Sequence, residues 1–397
     1  MNREEFPILK KDIIYFDSGA TALKPKCVVD AITDYYLNYS ANVHRGDYNL
    51  SLKVDQMYEK TREKVRNFIN APSKQNIVFT YGTTDSINKA VFGFFINELK
   101  ENDEILITKA EHASNILPWF ELQDKLKIKV KYIELDAYYK VTLDNLKKVI
   151  TPKTKVISIA SITNVIGDTR PIKEITEYAH KNNIIVMVDA AQSISHQKTD
   201  VIDSDVDFLA FSAHKMGGPT GVGVLYVSNK YLNKIKPTTF GGGMNASFDD
   251  SGERVYDEMP HNMEGGTGNI AGVIGMGAII DFINNIGFDK IISYENELRK
   301  YLVNRLKEIK QIKIYNENSE SSIVTFNYDD IFAQDLAIYL NKYNICIRAG
   351  NHCAKILKNV INVKNTCRIS LAFYNTKEEI DKLIEALKNP YIKAELF

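Results

Sequence analysis

At 397 residues the chain is too long for one compact core, so two domains are expected. Hydrophobic residues make up 44% and charged residues 25%, the composition of an ordinary globular protein. Fifty Lys and Arg balance fifty Asp and Glu, which excludes a global electrostatic pull toward nucleic acid or a membrane surface.

The N-terminal run carries acids and lacks an apolar core, so it does not read as a signal peptide. No apolar stretch approaches the ~18 residues of a membrane helix. Four cysteines, Cys27, Cys346, Cys353 and Cys367, are too few for a disulfide framework, and without a C-x-x-C pair they predict no metal site. Free thiols in a reducing cytoplasm are the expectation.

From about residue 75 to 230, short runs rich in Val and Ile read as strands. They are 77–79, 104–108, 129–135, 155–160, 184–188, 207–211 and 222–227. Helical patterns separate many of them. One is 172–181, with Pro171 at its expected first position. Such alternation predicts an α/β fold whose mostly parallel seven-stranded sheet is flanked by helices. The glycine-rich stretch 241–268 reads as a long, irregular loop. Beyond about 312 the pattern becomes strand (321–327), helix (331–340), strand (345–349), short helix, strand (367–372) and helix (377–387), a small α+β domain.

The chemistry centres on Lys215, delivered by an apolar run into a glycine-rich turn with Ser212 and His214. Asp189 ends the strand before it. A Lys that can form an imine and an Asp that can hold a pyridine nitrogen protonated are what a pyridoxal phosphate (PLP) enzyme needs. Gln192 and Asn164 could hydrogen-bond the phenolic oxygen of such a cofactor. Thr83 and Thr84 open a helix after strand 77–79, an arrangement suited to a phosphate. His112, after strand 104–108, could stack on the ring. Each has a plainer alternative: a surface lysine, a helix-capping Asp or Thr, a structural His. Ligands in parallel sheets gather beyond the carboxyl ends of the strands, and all these residues follow strand ends. In the small domain, Cys353 is expected near a helix start beside His352, in an exposed loop that favours the thiolate. Cys346 is expected in the core. Arg368 could grip a substrate carboxylate with two parallel hydrogen bonds, or serve in a surface salt bridge.

These residues lie within motifs that resemble the cysteine desulfurases of the fold-type I, class V aminotransferase-like superfamily, and more narrowly the SUF-type (group II) enzymes and selenocysteine lyases. The matching segments are YFDSGATA (15–22), VHRG (43–46), GTT (82–84), EHASNILPW (111–119), NVIG (164–167) and DAAQ (189–192). They continue with SAHKMGGPTG (212–221), GGTGN (265–269), RAGNHCA (348–354) and CRISLAFYN (367–375). The short segment around Cys353 favours group II. The chain departs from the family where Ala190 replaces a frequent Gly and Asn351 a frequent His.

The resemblance implies Lys215 as the PLP lysine and Cys353 as the nucleophile that takes sulfur from L-cysteine. It gives Asp189, Gln192, Asn164 and His112 to the ring, and Thr83, Thr84, Ser212 and His214 to the phosphate. Thr267 would come from the second subunit of a homodimer. Arg368, His44, Arg348 and Asn164 would meet the substrate. The large domain is expected at 25–279, and the small one, bearing the Cys353 loop, at 1–24 and 280–397. The implied activity supplies sulfur to a SUF-type acceptor protein for iron–sulfur cluster assembly. Selenocysteine lyase, or a non-catalytic PLP-binding sulfur carrier, is the alternative. No nucleic acid, membrane or metal is implied.

Overall fold

The structure, a computed structural model, describes residues 3–44 and 46–395. Arg45, in the 43–46 motif, lies outside the described residues. The seven apolar runs form one sheet. Its strands stand in the order Ile77–Thr80, Gly223–Val227, Phe208–Ser212, Ile185–Asp189, Thr154–Ala160, Glu104–Thr108 and Lys129–Ile133. Pairing is parallel except along Gly223–Val227, which runs antiparallel to both neighbours. The inner strands are buried on nearly every residue, which is why they read as continuous apolar runs.

The two edges are protected differently. Lys129–Ile133 points Lys129 and Lys131 outward, and charge discourages pairing with another chain. At the opposite edge the Phe79 N–H donates to Glu264 Oε1 at 2.7 Å, and that carboxylate pairs with the fully buried Arg62 at 2.6 Å.

A second sheet of four antiparallel strands, in the order Ile312–Ile314, Ile323–Tyr328, Thr366–Ser370 and Arg348–Gly350, packs against helices Phe288–Lys307, Ala333–Asn341 and Lys377–Leu387. The N-terminal segment belongs to this packing. Ile14–Tyr15 pairs in parallel with Ile345–Cys346, and Phe16 is buried in the same core. Helix Ile270–Ile286 runs without a break through 279 and 280, where the sequence reading divides the chain.

Several local expectations are corrected. The 241–268 stretch holds a hairpin, Asn245–Phe248 with Arg254–Tyr256. The run 345–349 is split into two short strands in different sheets. Pro171 stands at the cap of helix Ile172–Lys181, outside its first turn, with a non-helical ψ of 73°, rather than opening it. Cys346 is half-buried rather than core. Among the described residues no single helix is long and apolar enough to cross a membrane.

Candidate active site

Because strand Ile77–Thr80 is parallel to the central strands, its carboxyl end shares their edge. One cavity of about 460 Å³ opens there. Thr83, Thr84, His112, Asn164, Asp189, Gln192, Ser212, His214 and Lys215 line it from the large sheet, and Arg348, Cys353 and Arg368 from the small one.

The Lys215 turn is fixed from several sides. The Ala213 carbonyl accepts from the Met216 and Gly218 N–H groups at 3.0 and 2.9 Å, and the Ala22 N–H donates to the His214 carbonyl at 2.9 Å. Close approach matters beside it. A Cβ on Gly223 would stand 2.5 Å from Gly82 Cα, and Gly82 itself has φ of 151°, a value open to glycine. That contact lets the Thr83 N–H and hydroxyl both meet Ser212 Oγ at 2.7 Å. Thr84 Oγ1 pairs with Ser114 Oγ at 2.7 Å.

Burial, with the nearby Arg368 charge, lowers the Lys215 amine to about 8, against the opposing pull of Asp189. Burial raises the Asp189 carboxyl, and Lys215 partly offsets the rise. Its one hydrogen bond among the described residues comes from the Ala191 N–H at 2.9 Å. Burial and the Lys215 charge hold His112 at about 4, so its ring is neutral at physiological pH. The Ser114 N–H donates to His112 Nδ1 at 3.1 Å, which places the proton of the neutral ring on Nε2. His214 is likewise held at about 4 by burial.

Beneath His112 lies a buried network that the sequence reading did not contain. Arg170 donates to Glu111 at 2.5 Å, to Thr108 at 2.9 Å and to Asp168 at 3.3 Å. Glu111 also accepts from the Ala160 N–H at 2.8 Å and from Asn115 at 2.9 Å. It ties the ends of strands Glu104–Thr108 and Thr154–Ala160 together.

The Cys353 segment is anchored by its backbone. The Ala113 N–H donates to the Cys353 carbonyl at 2.8 Å, and Asn164 Nδ2 to the His352 carbonyl at 2.7 Å. Ala354, Leu357 and Ile361 pack with Ala110, Val165 and Ile166 below it. Two expectations are corrected here. Cys353 is not near a helix start: the helix is Leu357–Val360, and His352 and Cys353 occupy left-handed turn conformations. His352 is not exposed and lends the thiol no positive charge. Burial lowers it to about 3, with Nε2 on Thr366 at 2.9 Å. Asn351 and Cys353 are the exposed members of the turn.

Asn164 and Gln192 each spend one amide hydrogen on the protein, the latter on the Gly19 carbonyl at 2.9 Å. Each keeps a second hydrogen for another acceptor. His44 and Thr267 lie outside the cavity. His44 packs edge-on against Tyr58 and His261, and Thr267 meets Asn42. Cavity residues given no role from the sequence are Gly19, Ala20, Thr21, Ser114, Ala191 and Thr220. The 15–22 motif was the available signal for three of them, but no local pattern says that it folds back onto the Lys215 turn.

PLP fits these residues. A low-pKa amine and a buried carboxylate share the cavity, and Asn164 Oδ1 and Arg368 Nε are buried without a hydrogen-bond partner. Such orphaned groups suit a polar occupant. The class-V aminotransferase profile matches residues 14–383. A probable cysteine desulfurase of Halalkalibacterium halodurans is 42% identical over 96% of this chain and 95% of its own length. One from Ureaplasma parvum is 43% identical over 97% and 96%. The apo structure of the cysteine desulfurase from Thermococcus onnurineus superposes with a TM-score of 0.94 at 35% identity, covering 99% of this chain and 97% of that one. The chain therefore belongs to the class-V aminotransferase family, and within it to the PLP-dependent cysteine desulfurases.

Proposed function

We propose that the protein converts L-cysteine to L-alanine and keeps the sulfur as a persulfide on Cys353. The observation that carries this reading is one cavity lined by Lys215, Asp189, Arg368 and Cys353. PLP, when bound, supplies the electron withdrawal that loosens bonds at the substrate α-carbon. Lys215 would anchor it, Asp189 would hold the proton of its ring nitrogen, and His112 would stack on the ring. Gln192 and Asn164 would hold its phenolic oxygen, and Thr83, Thr84, Ser212 and His214 its phosphate.

Lys215 Nζ then holds and moves the substrate α-proton, a task helped by an amine that loses its own proton near pH 8. Arg368 holds the substrate carboxylate, and Arg348 lines the same side. The Cys353 thiolate forms an S–S bond to the substrate sulfur as the carbon–sulfur bond breaks. The methyl group of alanine takes the proton, and the negative charge stays on the outer sulfur of Cys353.

Within the same reading, 25–279 is the PLP-binding domain, and 1–24 with 280–397 carries the Cys353 segment. Thr267 lies outside the cavity of its own chain, as a residue supplied by the second subunit of a homodimer would. His44 meets substrate only if it is brought in the same way. Transfer of the sulfur to a SUF-type acceptor for iron–sulfur clusters, in the cytoplasm, is the biological end of the proposal.

The test is alanine and sulfide release from L-cysteine with dithiothreitol present. Wild type should yield both, Cys353→Ala should keep the yellow cofactor and lose release, and Lys215→Ala should be inert. Normal release by either variant contradicts the assignment.

A further inference from the structure

Arg368, 2% exposed, donates from Nη1 to the Asn164 backbone carbonyl at 2.9 Å and from Nη2 to Asp17 Oδ1 at 3.0 Å. Arg348 donates from Nη1 to the other oxygen of Asp17 at 3.4 Å. One carboxylate from the N-terminal segment thus bridges the two guanidinium groups that line the cavity. Asp17 is fixed for this task. It bridges Ser370 in parallel, its carbonyl accepts from Ala20 N–H at 3.0 Å, and Tyr15 Oη donates to the same carbonyl at 3.3 Å.

The other titratable groups beside Asp17 are neutral. Burial, and then Asp17, hold the Tyr15 hydroxyl at about 12 and raise the Cys346 thiol, while His352 stays uncharged. With Lys215 engaged by the cofactor, the two arginines and Asp17 leave a single positive charge, the complement of one α-carboxylate.

We infer that Asp17 sets the charge of the substrate-carboxylate subsite and so selects against amino acids that carry a second acidic group. The inference rests on the desulfurase reading for the role of Arg368. Without the Asp17 charge, Arg348 is free to meet an acidic side chain, and a unit charge about 4 Å away moves affinity by roughly fivefold in water and by more in a partly buried site.

The experiment is isothermal titration of the PLP-loaded protein with L-alanine and with L-aspartate. Wild type should prefer alanine. Asp17→Asn should cut that preference about tenfold, Asp17→Glu should keep it, and the double variant Asp17→Asn/Arg348→Gln, which restores a single positive charge, should recover it. A preference unchanged in Asp17→Asn overturns the inference. Loss of both ligands in Asp17→Asn also overturns it, because Asp17 would then merely hold the arginines in place. The readout is amino-acid binding, so a wild-type protein that binds alanine but releases none from cysteine would remove the desulfurase reading and leave the charge assignment standing.

Discussion

The lowered pKa of Lys215 can be tested without any cofactor. Burial takes the amine from 10.5 to about 8. At pH 7 an unshifted lysine is neutral in roughly 3 molecules per 10,000, whereas one at about 8 is neutral in roughly one in eleven, a gain of about 300-fold in reactive amine. The apoprotein should therefore show one hyper-reactive lysine toward fluorodinitrobenzene, read by mass spectrometry of the Lys215 peptide. Its modification rate should rise with pH and level off just above pH 8, while exposed lysines keep rising toward pH 10. Asp189 opposes the shift, so Asp189→Asn should move the midpoint lower. A Lys215 profile that tracks the exposed lysines would refute the argument that burial prepares this amine.

Three further outcomes follow from the packing. Glu111→Ala leaves the fully buried Arg170 with the longer Asp168 contact as its remaining ion pair, and should cost about 3 kcal/mol or more in urea unfolding; a loss under ~1 kcal/mol would contradict the network. For His196, burial pushes the pKa down but the Glu295 carboxylate 2.7 Å away raises it beyond 6.5. That pair should stabilise fully below pH 6.5 and fade as pH rises through the folded value, so the stability gap between wild type and Glu295→Gln should narrow with pH; a constant gap contradicts the pairing. Gly223→Ala drives a methyl into the Gly82 backbone, and should cost about 1–3 kcal/mol and weaken PLP affinity through the Thr83–Ser212 contact; unchanged stability would show that the strands part freely.

Much of the large sheet was legible because buried parallel strands leave uninterrupted Val and Ile runs. Ile185–Asp189 and Phe208–Ser212 fall within a residue of their expected bounds. The site was legible for a related reason. Asp189, Lys215, His112 and Asn164 each follow a strand, and parallel pairing brings strand ends together. What stayed hidden depends on distant contacts. Asp17 meets Arg368 across 351 positions, and no periodicity marks that meeting. Cys353 looked like the start of a helix, but left-handed turns at His352 and Cys353 delay the helix to Leu357. His352 looked like a source of charge until its burial against Thr366 made it neutral.

The central claim is that the Lys215 amine and the Cys353 thiol act on one substrate molecule. Its most direct test is a single turnover of the PLP-loaded protein with L-cysteine and no reductant, followed by mass spectrometry of the Cys353 peptide and quantification of alanine. The account predicts one added sulfur on Cys353 for each alanine formed. Alanine formed at the same yield with Cys353 unmodified would contradict it.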